Sequence, residues 1–329
     1  MTIDQGTLPN ATAASAAATT AATTAATAPA WAAERDVTPA DVAGWLRDAG
    51  VTLTAPVEPV AEGFDNYIFA ADGLYIRATR RAAAAADLRQ EARLLPLLCD
   101  DLPLKVPSPT LIPEDIDTSP WPWFAFRPVE GEDCVQAVLR GDDLCDAARA
   151  LGHALKTLHD PSWLPRVRDW VRVDTFRRVD MPYRVGLSRL RLQELTDAGD
   201  DLPLPALLGA LDDAESLGAL PGVALIHGDL HIRHLILSPD RSLNGLIDWG
   251  DAHVGHPACD LYPLWSLFRA RERAAFLSAY GPLDEATLRA GRVVSIYINA
   301  VLAQSALDFG LPELRVAALE ALRRAAQPL

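Results

Sequence analysis

Residues 225–261 read LIHGDLHIRHLILSPDRSLNGLIDWGDAHVGHPACDL and hold five of the chain's seven histidines, interleaved with aspartates. A carboxylate set among imidazoles and a second carboxylate suits two chemistries. In the first, Asp229 acts on the proton of a substrate hydroxyl while His234 and Asp248 hold Mg²⁺ against nucleotide phosphates. Phosphoryl transfer is mostly positioning and charge neutralisation, so a few rigidly held residues suffice. In the second, several of His227, Asp229, His231, His234, His253 and His256 bind a transition metal, for which imidazole is a favoured ligand. The blander possibility is a surface hairpin with solvated polar residues. The clustering of those residues at one end of an apolar interior argues against it.

Local pattern indicates what must position these groups. Residues 223–226, 235–237 and 243–247 are apolar runs too short for helices and bounded by Gly, Pro, Asp and Ser, so they read as buried strands. Ser238, Pro239, Asp240, Arg241 and Ser242 supply turn chemistry. The spacing predicts an antiparallel hairpin centred near Asp240 and Arg241, with paired residue numbers summing to about 481 or 482. That register sets His234, entering the hairpin, beside Asp248, leaving it. Asp229 falls in the loop just before.

The run HGDLHIRH, followed by GLIDWGD and GHPACDL, resembles the aminoglycoside phosphotransferase family, a branch of the protein-kinase-like fold. The family pattern is HGDxxxxN and then IDWxxxxxGxxxxDL. The chain matches it at His227, Gly228, Asp229, Ile247, Asp248, Trp249, Gly255, Asp260 and Leu261, and places His234 where the family has a metal-binding Asn. In this it is similar to the macrolide phosphotransferases, which read HGDLxxxHxLI before IDW. The resemblance extends from about Gly63 to the C-terminus. It implies an α+β fold with a small N-terminal lobe, built on an antiparallel sheet, and a larger, mainly helical C-terminal lobe. It further implies ATP or GTP as phosphate donor, Mg²⁺ as cofactor, Asp229 as the catalytic residue, and His234 and Asp248 as metal ligands. Imidazole is a less usual Mg²⁺ ligand than oxygen, so His234 implies either tolerance of that ligand or a shifted metal preference. His227 is expected to brace the loop, and Asp260 to tie it to the helical lobe.

Upstream, residues 1–33 form an Ala/Thr-rich tail with too little bulky apolar surface to offset the entropy of ordering, and read as disordered. Order begins at Thr38, Pro39 and Asp41, a helix start with a capping box. Strands are predicted over 57–71 and 74–78, broken by turns at Gly63 and Gly73. Residues 87–98 read as a helix with Leu88, Glu91, Leu95 and Leu98 on one stripe. A carboxylate inside an apolar stripe needs a partner, and Arg77 on the preceding strand fits; Arg80, Arg81 and Arg89 are the alternatives. In the kinase-like fold such a pair holds the nucleotide phosphates, with Arg here in place of Lys. The resemblance also sets Gly63, Phe64, Asp65 and Asn66 where a phosphate-covering loop lies, and makes Arg77, Glu91 and Asn66 the nucleotide-binding residues. It reads the apolar run 123–129 as the hinge, giving a nucleotide-binding lobe over 34–129 and a catalytic and substrate lobe over 130–329.

Thirty basic against 44 acidic residues give a net charge of −14, which argues against nucleic acid or an anionic membrane as partner and suits a cationic small substrate. The aromatic and Arg-rich stretch 162–195 is therefore expected to be a helical insertion on the substrate side. No targeting segment or membrane-length apolar run is recognised. Four cysteines without CxxC spacing read as reduced core thiols in a cytoplasmic protein. The function expected is phosphorylation of a hydroxyl on a small molecule, an aminoglycoside- or macrolide-like amino sugar. A kinase of choline, homoserine or a sugar, an inactive kinase-like binding protein and a zinc hydrolase are the competing readings.

Overall fold

The computed structural model describes residues 33–63 and 65–329, so the tail expected over residues 1–33 lies, but for its last residue, outside the described residues. The chain divides into two compact units. One runs to Asp100 and includes Val106–Pro128; the other comprises Asp101–Lys105 and Val129–Leu329.

In the first unit, helix α1 (Pro39–Asp48) opens as its sequence requires. Thr38 N–H donates to Asp41 Oδ2 at 2.8 Å, and Asp41 N–H donates back to Thr38 Oγ1 at 3.2 Å. Strands β1 (Glu58–Glu62), β2 (Asn66–Ala71), β3 (Leu74–Thr79), β4 (Ser108–Leu111) and β5 (Trp123–Arg127) form one antiparallel sheet in the order β1-β2-β3-β5-β4. Asp72 and Gly73, both at positive φ, close the β2–β3 hairpin. Because strand side chains alternate, Ile76 packs with Val42 and Leu46 of α1, while Arg77 points to the opposite face. There it meets Glu91 of helix α2 (Ala85–Asp101), whose Leu88, Ala92, Leu95 and Leu98 are buried.

In the second unit, β6 (Glu132–Asp133), β8 (Leu235–Leu237) and β9 (Leu243–Leu246) form a three-stranded sheet in the order β6-β8-β9, and β7 (Ala224–Ile226) pairs with β10 (His253–Gly255). The hairpin register is Leu235↔Leu246 and Ile236↔Gly245, as the turn chemistry predicts, with an irregularity before Leu237↔Leu243. Helices α3 (Cys134–Arg140), α4 (Cys145–Leu158), α5 (Leu164–Val167), α6 (Met181–Asp197), α7 (Leu204–Glu215), α8 (Tyr262–Ser266), α9 (Ala270–Tyr280), α10 (Glu285–Asp308) and α11 (Pro312–Ala325) supply the remainder. α10 packs against α6, α7, α8 and α11. By length and composition it is apolar enough to cross a membrane, yet 72% of its most apolar window is buried within the fold, as in the core helix of a globular unit.

Two expectations are corrected. The stretch 162–195 is helical only at its ends: between α5 and α6 the chain is irregular, because Asp174 accepts from the backbone N–H groups of Phe176 (3.0 Å) and Arg178 (2.6 Å). Such local side-chain bonds compete with helix formation. Of the four cysteines, Cys134 and Cys259 are buried, whereas Cys99 is exposed and Cys145 half-buried.

Candidate active site

The loop that carries Asp229 leaves β7 and is held by one carboxylate. Asp260, fully buried, accepts from His227 N–H (2.7 Å) and His159 Nε2–H (3.0 Å) on Oδ2, and from Gly228 N–H (2.9 Å) on Oδ1. Burial pushes the Asp260 pKa up, but the His159 hydrogen bond, the neighbouring imidazoles and the Gly228 N–H outweigh it and hold it below the ordinary carboxylate value. Gly228 has φ +83°, and a Cβ there would come within 2.7 Å of His253 Nδ1, so no side chain fits. The far side of the loop is fixed by His227, whose Nε2 lies 3.0 Å from the Ile247 carbonyl and whose ring centre is 4.5 Å from that of Trp249.

This scaffold brings Asp229, His231, His234 and Asp248 together. His234 Nε2 is 3.4 Å from Asp248 Oδ2, and His234 Nδ1 is 2.7 Å from the Asp229 carbonyl. Desolvation lowers the His234 pKa to about 4, so the ring is neutral near pH 7. Its one N–H is then spent on the Asp229 carbonyl, and its Nε2 lone pair faces a carboxylate oxygen. Two acceptors turned toward each other are repulsive unless a cation or a proton lies between them, so the pair fits a divalent ion. Asp248 itself has φ +66° and ψ +67°, a conformation uncommon for a residue with a side chain. Asp229 Oδ2 is buried without a hydrogen-bond partner, 3.7 Å from His231 Nε2 and 3.8 Å from His234 Nδ1. Desolvation and the charges of Asp251 and Asp248 raise the Asp229 pKa well above the ordinary value, partly offset by Arg178.

The sequence reading missed this last contribution. Asp251 joins Arg172 and Arg178, each at 2.7 Å, and Arg178 also reaches Asp174 at 3.5 Å. The dense arginines of 162–195 were the visible signal, but nothing in their spacing singles out Arg178 as the cation whose charge reaches Asp229.

In the first unit, Arg77 Nη1 meets Glu91 Oε2 at 2.6 Å with both side chains buried. The alternative cations are engaged elsewhere: Arg80 with Glu62 (2.8 Å), Arg81 with Asp65 (2.9 Å), and Arg89 with the carbonyls of Ile116 (2.8 Å) and Ser119 (2.5 Å). Asn66 begins β2, and its Oδ1 is buried without a hydrogen-bond partner.

Residues 56–293 match the model of the family described as phosphotransferase enzyme family, and the chain belongs to that family. The GDP and kanamycin complex of the aminoglycoside phosphotransferase APH(2")-IIIa superposes with a TM-score of 0.61 at 20% identity, over 86% of this chain and 97% of that one. Macrolide 2'-phosphotransferase MphH from Brachybacterium faecium does so with a TM-score of 0.57 at 22% identity, over 86% and 97%. The fold is thus the protein-kinase-like fold of these enzymes, with an antiparallel N-terminal sheet and a mainly helical C-terminal part. Bacillus subtilis YcbJ is 39% identical over 61 residues, an alignment spanning 18% of this chain and 20% of that protein.

Proposed function

We propose that this phosphotransferase uses ATP or GTP with Mg²⁺ to phosphorylate a hydroxyl of a small molecule, an amino sugar of the aminoglycoside or macrolide type. The observation that carries the reading is Asp229: a buried carboxylate oxygen without a partner, on a loop whose backbone Asp260 clamps, next to the His234–Asp248 pair. Asp229 Oδ2 accepts the acceptor's hydroxyl proton as the hydroxyl oxygen attacks the terminal phosphorus, and the nucleoside diphosphate leaves. His234 and Asp248 would hold Mg²⁺, which would neutralise phosphate charge. Arg77, oriented by Glu91, carries further phosphate charge, and Asn66 contributes on the nucleotide side.

The acceptor class is supported by the solved relatives named for macrolides or seen with kanamycin, and by the net charge of −14, which attracts cations at long range. The test is nucleoside diphosphate release, with ATP and with GTP, across macrolides, aminoglycosides, choline, homoserine and simple sugars. Release above the no-acceptor background is expected with a macrolide or an aminoglycoside. Turnover confined to choline, homoserine or sugars would overturn the amino-sugar assignment and leave the phosphotransferase standing.

A further inference from the structure

His231 has no part in the transfer reaction as derived above, yet it is 2% exposed and its Nε2 has no hydrogen-bond partner. It is not alone in this. Asp229 Oδ2, His231 Nε2 and His234 Nε2 are all buried and all unpartnered, and they belong to three residues that can each offer a ligand atom within 4.8 Å of the others. Buried polar atoms are ordinarily satisfied, so three orphans on three neighbouring residues need an explanation. The rings of His231 and His234 lie 3.7 Å apart, centre to centre, and His231 Nε2 is 3.7 Å from Asp229 Oδ2.

We propose that Asp229, His231 and His234 form a transition-metal site of the Zn²⁺ class, occupied in place of the Mg²⁺–nucleotide arrangement, so that metal binding switches the enzyme off. Zn²⁺ takes imidazole nitrogen and carboxylate oxygen at about 2.0–2.2 Å in tetrahedral geometry. Donor atoms in such a site are about 3.3 Å apart, so the 3.7 Å from His231 Nε2 to Asp229 Oδ2 needs only a small contraction, and His234, whose ligand atom lies within 4.8 Å of theirs, a larger one. Three protein ligands leave the fourth position to water. His234 already has its proton on Nδ1, held by the Asp229 carbonyl at 2.7 Å, which leaves Nε2 available to a metal. In His231 the ring proton moves from Nε2 to Nδ1 on binding. This gives up only a long contact, 3.3 Å, from the Arg233 N–H. Mg²⁺ does not compete well for such a donor set, because it prefers oxygen and octahedral geometry. The off-state rests on the proposed role of Asp229: an oxygen bound to metal cannot receive the acceptor's proton.

The experiment uses the metal-stripped full chain, without nucleotide or Mg²⁺, titrated with Co²⁺ as a spectroscopic stand-in for Zn²⁺. One Co²⁺ per chain with the intense visible bands of four-coordinate geometry is expected. Affinity should fall at least ~10-fold in His231→Ala, in the bulkier His231→Gln and in Asp229→Asn, with circular dichroism confirming that each variant is folded. Failure to bind stoichiometrically, or binding that the folded His231 variants leave unchanged, would overturn the site; the latter would assign the ion to His234 and Asp248 alone. In a second arm, equimolar Zn²⁺ should abolish acceptor-dependent diphosphate release in the unsubstituted protein, and a zinc-selective chelator should restore it; persistence of full turnover at saturating Zn²⁺ would overturn the off-state. If the phosphotransfer reading itself were wrong, no diphosphate would be released at any Zn²⁺ level while the Co²⁺ titration still behaved as described.

Discussion

Replacing Asp229 by Asn should lower turnover about 10²–10⁴-fold, the usual size of a lost proton acceptor, and leave nucleotide affinity nearly unchanged. The amide keeps the shape of the carboxylate in its half-buried setting but cannot take a proton. Since Asp229 faces the acceptor rather than the nucleotide in the proposed reaction, kcat and kcat/KM should fall together while binding holds. Steady-state kinetics with the best acceptor, set beside nucleotide titration of the same variant, check this. Retention of more than about a tenth of the turnover would remove Asp229 from the proton-transfer role.

The second large effect is on stability. Asp260→Ala should cost about 3–5 kcal/mol, because it strips the shared carboxylate from two buried backbone N–H groups and from His159. Asp260→Asn should cost less, since one acceptor oxygen remains, although its amide NH₂ then opposes an N–H. The pH dependence has a definite sign. The pKa of Asp260 is lower folded than unfolded, so its contribution is fully present above about pH 4, the unfolded value. It is lost as pH falls through the lower folded value. Denaturant unfolding at pH 7 and at successively lower pH should therefore show the gap between the native protein and Asp260→Ala closing on the acid side. A gap that widens on acidification would contradict the assignment.

Much of the site could be read because its geometry is local. The hairpin register follows from the turn residues around Asp240 and the period of the flanking strands, and it puts His234 Nε2 within 3.4 Å of Asp248. Arg77 and Glu91 could be paired because a carboxylate in an apolar helix stripe requires a cation, and the strand just before offers one. What escaped the sequence depends on contacts made at long range. His159 caps the end of α4, and its contact with Asp260 spans 101 residues. Arg178 reaches Asp251 across 73 residues from an irregular segment whose Asp174 turn no periodicity reveals. His231 sat in plain view within the motif. Only the burial of its unpartnered nitrogen sets it apart from the other imidazoles.

Nucleotide affinity measured with and without Mg²⁺, in the native protein and in Asp248→Ala, tests the proposed chemistry most directly. Native protein should bind ATP or GTP far more tightly with Mg²⁺. Asp248→Ala should lose that metal dependence, because its anionic ligand is gone, while Asp229→Asn keeps it. Binding that ignores Mg²⁺ in the native protein, or an equal loss of affinity in both variants, would contradict the division of labour between Asp229 and the His234–Asp248 pair.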